Sequence, residues 1–328
     1  MTARTRIFVI AGAAAAVAAG ATVALAVITS SDPGGQGKSA ERLPGAPPLV
    51  LELGVRVDPE ARALRKAQGL LPKDRPAAGR IFARYRSPEA QLGAALAAWP
   101  DSSLATIERL AEERPRDSLV LLHLGYAKFW VGRQDEAAAA WRKAAQAQPD
   151  SAYAQRANDA LHRDFPAGQP IFVPSFPAPQ GLNQLAPPAQ LAFLARAARR
   201  DDPRAKLFYG IALQGLGHRI SATRQYDAAA RLAPRNPDAQ VAAAVVRFEK
   251  SRPAAAFSRL GPLTRRFPHA ATVRFHLGLL LLWMAKTQPG SVQEGKRQLR
   301  LARAEDPHSR LGREAKQLLD GLENVRAR

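Results

Sequence analysis

The chain contains no cysteine and few aromatic residues. Among its 328 residues, phenylalanine, tryptophan and tyrosine together make up only 6%. The lack of cysteine excludes disulfides, thiolate metal sites, cysteine nucleophiles and a lipid anchor attached to cysteine. Because alanine is abundant and aromatic residues are scarce, the composition favours closely packed helices over a β-sandwich or β-barrel.

Acidic residues are also fewer than basic residues. Lysine and arginine number 48 against 28 aspartate and glutamate residues, which gives a formal net charge of +20. A surface of this charge attracts anionic polymers without specificity. Hydrophobic residues make up 46% of the chain, enough to form a buried core, so the composition excludes a disordered protein. It does not indicate a reaction.

One long apolar run lies near the amino end. Residues 7–29 contain no charged side chain, and a run of this length can cross a bilayer as a helix. Arg4 and Arg6 precede it, which leaves residues 1–6 in the cytoplasm and the long remainder outside. The apolar region of a signal peptide is usually shorter, which favours a retained single-pass plasma-membrane anchor. The alternative is a cleaved signal peptide and a secreted protein.

Glycines and prolines recur at fixed spacings in the rest of the chain. Gly125 precedes Pro149 by 24 residues, and Gly210 precedes Pro234 by the same number. The next proline of this series, Pro268, follows after 34 residues. A period of 34 residues is typical of repeated helix-turn-helix units.

This pattern resembles the tetratricopeptide repeat (TPR) family. In the best copy, Gly125 is the small residue of the first helix, Gly132 forms the turn, and Trp141 lies in the second helix. The resemblance implies an all-α fold, an α-solenoid of antiparallel helix pairs in a TPR-like superhelix, preceded here by a single transmembrane helix. It also implies a concave groove that holds an extended peptide. The four copies cover residues 118–151, 203–236, 237–270 and a region that starts near 271.

The repeats and the composition together predict an order of segments along the chain. These are a cytoplasmic tail (1–6), a transmembrane anchor or signal segment (7–29), a flexible linker (30–50), divergent helical repeats (51–117), a TPR-like repeat with a following helix (118–163), a proline-rich insertion (164–188), further TPR-like repeats (189–307) and a closing helix (308–328).

The groove-facing positions implied by the resemblance are occupied by apolar residues. We call this set the apolar stripe, and expect it to bind a partner. If the helices are rotated relative to this assignment, the same residues form the core instead. The stripe consists of Leu122, Tyr126, Phe129, Leu207, Ile211, Val241, Val245, Phe248, Phe275, Leu279, Leu282 and Trp283.

The proline-rich insertion is unusually apolar for a loop. Its residues Ile171, Phe172 and Phe176 are expected to pack against another part of the protein. An apolar groove left open to water would promote aggregation, so something should cover it. Two occupants are possible: these residues, acting as a plug within the chain, or an extended segment of a partner protein.

No catalytic pattern is present in the sequence. None of the six histidines pairs with another in the arrangement of a helical zinc site, and His162-Arg163-Asp164 lacks the glycine-rich loop that accompanies this triplet in kinases. His123 and His276 occupy the same position in different copies, where a packing role is the simplest interpretation. We therefore expect no enzyme activity, catalytic residue, cofactor or metal.

The sequence predicts a membrane-tethered scaffold that binds a protein or peptide partner in its groove. The alternative is a chaperone-like accessory subunit of an enzyme complex for assembly or biogenesis of the cell envelope. Clustered arginines suggest contact with anionic lipid or wall polymer, whereas no motif supports specific nucleic-acid binding. These clusters are Arg196, Arg199 and Arg200, then Arg265 and Arg266, then Arg297, Arg300 and Arg303.

Overall fold

The computed structural model describes residues 42–324, and across this range the chain is helical, with no β-strand. The described residues belong to two compact units, an N-terminal unit (42–161) and a C-terminal unit (162–324). The predicted all-α architecture of consecutive helix pairs is confirmed for these residues.

The N-terminal unit contains seven helices, joined by short turns. They are α1 (Pro59–Leu70), α2 (Arg75–Phe82), α3 (Pro88–Ala97), α4 (Ser103–Glu113), α5 (Ser118–Trp130), α6 (Gln134–Ala147) and α7 (Ala152–Leu161).

The C-terminal unit contains eight α-helices and one short 3₁₀ turn, Leu182–Gln184. The α-helices are α8 (Pro187–Ala197), α9 (Pro203–Gly215), α10 (Arg219–Leu232), α11 (Pro237–Val245), α12 (Ala254–Arg266), α13 (Ala271–Trp283), α14 (Ser291–Glu305) and α15 (Arg310–Asn324).

Local sequence determines where many of these helices begin. The Asp58 carboxylate accepts the N–H of Ala61 at 2.9 Å, and the Asn236 side chain does the same for Ala239 at 3.1 Å. Such caps satisfy N–H groups that have no partner within the helix. Six helices carry proline in the first turn, where the missing N–H costs nothing.

Glycine allows the two helices of a pair to approach closely. A Cβ atom added to Gly125 of α5 would lie less than 3.0 Å from the indole of Trp141 in α6. A Cβ on Gly210 of α9 would clash in the same way with the ring of Tyr226 in α10. Gly278 occupies this place in the α13–α14 pair. The small residue and the large apolar residue that the repeat pattern singled out are therefore in contact.

Residues 42–50, the described part of the predicted flexible linker (30–50), are packed against the N-terminal unit. Leu43 donates its N–H to the carbonyl of Trp130 at 2.9 Å, and Trp130 donates its indole N–H to the carbonyl of Pro44 at 3.2 Å. Leu49 is buried. This stretch is held because its leucines complete the core of the N-terminal unit. Residues 30–41 lie outside the described range.

The predicted membrane anchor also lies outside the described residues. Between residues 42 and 324, the structure contains no helix with the length and apolarity that a membrane span requires.

Candidate functional site

An extended segment of the chain lies against the helices of the C-terminal unit. We call residues 170–176 the C segment. The backbone N–H of Val173 donates a hydrogen bond to Nε2 of His276 on α13, at 2.9 Å. Phe172 is 1% exposed, and its ring stacks on the His276 ring with centroids 5.2 Å apart. The ring of Tyr226 meets the same phenyl ring edge-on, with centroids 5.9 Å apart, so Phe172 packs against two aromatic side chains.

Gln214 of α9 recognises the main chain of the C segment. Its Nε2 atom donates to the carbonyl of Pro170 at 2.9 Å, and its Oε1 atom accepts the N–H of Phe172 at 3.5 Å. Oε1 also accepts the hydroxyl of Tyr226 at 3.0 Å. Because Gln214 and Tyr226 are buried, these bonds satisfy groups that water does not reach.

The carboxyl end of the C segment is fixed to α11. Asp238 accepts the backbone N–H of Ser175 at 3.1 Å and its hydroxyl at 2.6 Å. Further along, Phe176 is half-buried and meets Phe208 edge-on at 5.2 Å between centroids. Phe172 is therefore buried in the core of the C-terminal unit, while Phe176 packs on α9 beside Arg204.

A second extended segment, which the sequence did not reveal, lies in the N-terminal unit. We call residues 49–53 the N segment. The N–H of Val50 donates to Nε2 of His123 on α5 at 3.0 Å, as Val173 does to His276. Its three leucines at positions 49, 51 and 53 are all buried. Two residues after Val50, the N–H of Glu52 donates to the hydroxyl of Tyr153 at 3.1 Å.

The two units are built on the same plan. His276 lies 153 residues after His123, and Trp283 lies the same distance after Trp130. After a longer turn before α14, the offset becomes 158 residues, and Ser309 then corresponds to Ser151. The helix pair α5–α6 with α7 thus corresponds to α13–α14 with α15. In each unit, one histidine of the first helix holds an extended segment by its backbone.

The hydrogen bonds fix the protonation state of both histidines. In His123, Nδ1 lies 2.8 Å from the carbonyl of Leu119, and in His276 it lies 2.7 Å from the carbonyl of Thr272. Nδ1 therefore carries the hydrogen, and Nε2 is free to accept a backbone N–H. Burial lowers the pKa of each imidazole to about 4. The hydrogen bond from Nδ1 to the backbone carbonyl raises the pKa, but by less than burial lowers it. Both rings are neutral at pH 7.

The apolar stripe is covered rather than open to solvent. Of its twelve residues, Ile211, Leu279 and Leu282 are half-buried and the other nine are buried. In the C-terminal unit, Phe172 packs in the same core as Leu207, Val241, Val245, Phe248 and Trp283, and Val173 packs in the core that includes Phe275. In the N-terminal unit, Leu122, Tyr126 and Phe129 share a core with the leucines of the N segment.

Sequence reasoning had a partial signal for these sites. The shared position of His123 and His276 within the repeat was visible, but a packing role explained it equally well. Pro48-Leu49-Val50 and Pro170-Ile171-Phe172 both place a proline before apolar residues, but such short runs also occur in ordinary loops. Only the hydrogen bonds show that these histidines recognise a backbone.

The predicted arginine clusters are on the surface. All eight of their side chains are exposed, from Arg196 to Arg303. Arg297 pairs with Glu294 at 3.3 Å, an exposed contact of small energetic value. Within residues 42–324, no group of three or more histidine and acidic side chains is placed to hold a metal ion.

Comparisons with known proteins give weak matches. No family model and no curated protein matches the chain. The crystal structure of yeast Tom70 matches with 12% identity and a TM-score of 0.31, covering 84% of this chain and 63% of that one. The C-terminal part of a TPR repeat-containing protein from Cytophaga hutchinsonii matches with 13% identity and a TM-score of 0.27. That match covers 77% of this chain and 98% of the other.

The chain thus spans less than two thirds of the Tom70 structure that it matches. The assignment of a helical-hairpin fold comes from the helix pairs of this structure themselves, with their glycine–aromatic contacts.

Proposed function

We propose that this protein is a non-catalytic scaffold that binds an extended segment of a partner protein. The observation that carries the proposal is the pair of histidine-held segments. Each helical unit recognises an extended chain through its backbone, with His123 or His276 as the acceptor. Backbone recognition combined with apolar pockets is a common way to bind peptides.

The resident segments determine where a partner binds. Because the N and C segments cover the apolar stripe, the partner does not contact the stripe itself. It binds beside a resident segment, on surfaces of the same helices that remain exposed. The basic surface would speed the encounter with acidic partners.

The proposal includes a membrane tether, which rests on the sequence of residues 7–29. This run carries no charge and follows two arginines, so it would anchor the helical units to the extracytoplasmic side of a plasma membrane. The exposed arginines would then lie near anionic lipid or wall polymer, each contributing up to about 1 kcal/mol when close to the surface. Extraction of membranes at alkaline pH tests this part: an anchored chain stays in the membrane fraction.

Site-specific photocrosslinking in intact cells tests the scaffold function. A photoreactive amino acid would replace Gln317, an exposed residue of α15, and in a control would replace Arg300, an exposed residue of α14. A scaffold gives one dominant crosslinked protein at position 317 and little at position 300. Many products of unrelated sequence would instead indicate the chaperone-like alternative. Identical products at both positions would contradict a defined binding surface.

A further inference from the structure

A cleft of about 500 Å³ lies beside the C segment, against the first two turns of α15. It is lined by Ser175, Pro177, Arg310, Arg313, Glu314 and Gln317. One wall is the end of the C segment with the adjoining Pro177. The opposite wall is one face of α15, where the side chains at positions 310, 313, 314 and 317 recur at helical spacing.

The N-terminal unit fills the equivalent place with its own chain. There, Glu52 of the N segment makes two contacts with α7: its N–H donates to the hydroxyl of Tyr153, and its carboxylate pairs with Arg156 at 2.8 Å. One acidic residue thus meets both an acceptor for its N–H and a guanidinium for its carboxylate. Burial by its surroundings keeps the pKa of Tyr153 above its usual value, so the hydroxyl remains protonated.

The register of α7 and α15 shows that these positions correspond. The hydroxyl of Ser151 accepts the N–H of Ala154 at 3.1 Å at the start of α7, and the hydroxyl of Ser309 accepts the N–H of Gly312 at 3.0 Å at the start of α15. With this alignment, Glu314 stands at the position of Arg156.

The resident side of the contact differs as well. Val50 and Val173 are hydrogen-bonded to the two histidines, and Glu52 and Ser175 each follow their valine by two residues. Ser175 of the C segment therefore corresponds to Glu52. Ser175 directs both its N–H and its hydroxyl to Asp238, which leaves α15 without a bond from the segment. The C segment therefore supplies no acidic residue to this cleft.

Two charged groups of the cleft have no hydrogen-bond partner among the described residues. Glu314 is only 9% exposed, yet no hydrogen bond or salt bridge joins its carboxylate to another described residue, and burial raises its pKa. Arg310 is half-buried, and the described residues give its guanidinium no hydrogen-bond acceptor. Arg313, by contrast, donates to the carbonyl of His308. Arg310 and Arg313 lie close enough to reduce the cost of a charge on Glu314. A buried polar group that makes no hydrogen bond is still costly, which points to a ligand that supplies both a donor and an acceptor.

We infer that this cleft binds an acidic residue of an extended partner peptide. The residue donates a backbone N–H to Glu314 and places its carboxylate against Arg310. Glu52 makes the same two kinds of contact in the other unit, although there the acceptor and the guanidinium, Tyr153 and Arg156, stand at different positions of the helix. The positive end of α15 adds to the attraction for the carboxylate. The inference rests on the proposed function, since it names the chemistry of the partner segment and the surface that receives it.

Binding of two synthetic peptides to the full chain tests the inference. The probe is the blocked, dye-labelled octapeptide PPLVLELG, the sequence of residues 47–54, and its comparison peptide carries glutamine in place of glutamate. Fluorescence anisotropy should show about tenfold tighter binding of the glutamate peptide, the effect of one charge-assisted hydrogen bond. Arg310→Gln should remove this preference, while Arg300→Gln, outside the cleft, should keep it.

Variants of Glu314 separate the effect of its negative charge from that of its acceptor oxygen. Glu314→Gln keeps an acceptor oxygen and removes a negative charge, so it should bind the glutamate peptide at least as tightly as the natural protein does. Glu314→Leu removes the acceptor and should weaken both peptides about tenfold. Circular dichroism and thermal unfolding confirm that each variant is folded.

Three results would overturn the inference. They are equal binding of the two peptides to the natural protein, unchanged preference in Arg310→Gln, or no detectable binding of either peptide. None of these results decides the proposed function. That function is tested by comparing the photocrosslinked products at positions 317 and 300, which detects a partner whatever its charge.

Discussion

The Nε2 atom of His276 accepts a hydrogen bond from the backbone N–H of Val173, which lies 103 positions earlier in the chain. His123 and Val50 repeat the relationship in the other unit. Each acceptor is fully buried, and each uses its other ring nitrogen to donate to a carbonyl one helical turn earlier. The hydrogen bond to the segment therefore requires a neutral imidazole, because in a protonated ring Nε2 would carry a hydrogen and could not accept the backbone N–H.

This relationship predicts that acid destabilises both units. The pKa of each histidine is about 4 in the folded protein against 6.5 for the free side chain, so below pH 6.5 the unfolded chain binds more protons. Stability that is complete above pH 6.5 should decline as the pH falls to about 4. The loss should reach about 3 kcal/mol for each histidine. Urea unfolding at a series of pH values measures it.

The control for this prediction is His276→Gln, which keeps an acceptor and does not titrate. We expect this variant to be less stable at pH 7 but to lose less stability between pH 6.5 and 4 than the natural protein. Equal slopes for the two proteins would show that His276 does not set the acid response.

Phe172 should make a large contribution to the stability of the C-terminal unit. It is 1% exposed, and its ring contacts His276 and Tyr226. Replacement by alanine leaves a cavity and should cost about 3–5 kcal/mol, with increased binding of a dye that reports apolar surface. Phe193→Ala is the matched control, because this phenylalanine is 37% exposed on α8. Unchanged stability and dye binding in Phe172→Ala would contradict the role of the C segment as a plug.

Replacing the pair glycines by alanine should be destabilising, although alanine favours helix. A methyl group on Gly125 would meet the indole of Trp141, so Gly125→Ala should cost about 1–3 kcal/mol. Gly69 of α1 is exposed and has open space where a Cβ would lie, so Gly69→Ala should instead stabilise by up to about 1 kcal/mol. Thermal unfolding measures both. If both variants behave alike, the close approach of α5 and α6 is not what selects glycine.

The helix pairs could be predicted from the sequence because their packing is local and periodic. Gly125 and Trp141 lie 16 residues apart, and the same small-to-large spacing recurs in Gly210 and Tyr226. Because each helix pair needs the same contact, the same spacing of a small and a large residue recurs along the sequence. The turn glycines Gly132 and Gly217 also have the positive φ that their place in the pattern predicts, 84° and 80°.

The extended segments could be predicted only in part, since their contacts are distant and aperiodic. Phe172 was identified because apolar residues are rare in a proline-rich loop. The N segment lies next to a region rich in glycine and proline. Its Val50 and Glu52 have their hydrogen-bond partners, His123 and Tyr153, 73 and 101 residues away. No spacing within the sequence encodes such contacts. The burial of the apolar stripe has the same cause, because its cover comes from other parts of the chain.

Gln214 should connect the C segment to α10 through its three hydrogen bonds. In Gln214→Leu, the buried hydroxyl of Tyr226 and the carbonyl of Pro170 lose their partner. A buried polar group left without a partner costs about 1–3 kcal/mol, so the variant should lose roughly 3 kcal/mol in total. Urea unfolding of the C-terminal unit within the full chain measures this loss.

A double-mutant cycle with Tyr226→Phe separates the hydroxyl from the rest of this network. Tyr226→Phe alone should cost about 1 kcal/mol, because it removes one hydrogen bond and leaves the aromatic packing on Gly210. In the Gln214→Leu background, the same change removes a hydroxyl that already lacks a partner, so it should be neutral or stabilising. The two changes should therefore couple by more than about 0.5 kcal/mol. Additive losses would mean that Tyr226 and Gln214 contribute independently, and that the side-chain amide acts on the C segment alone.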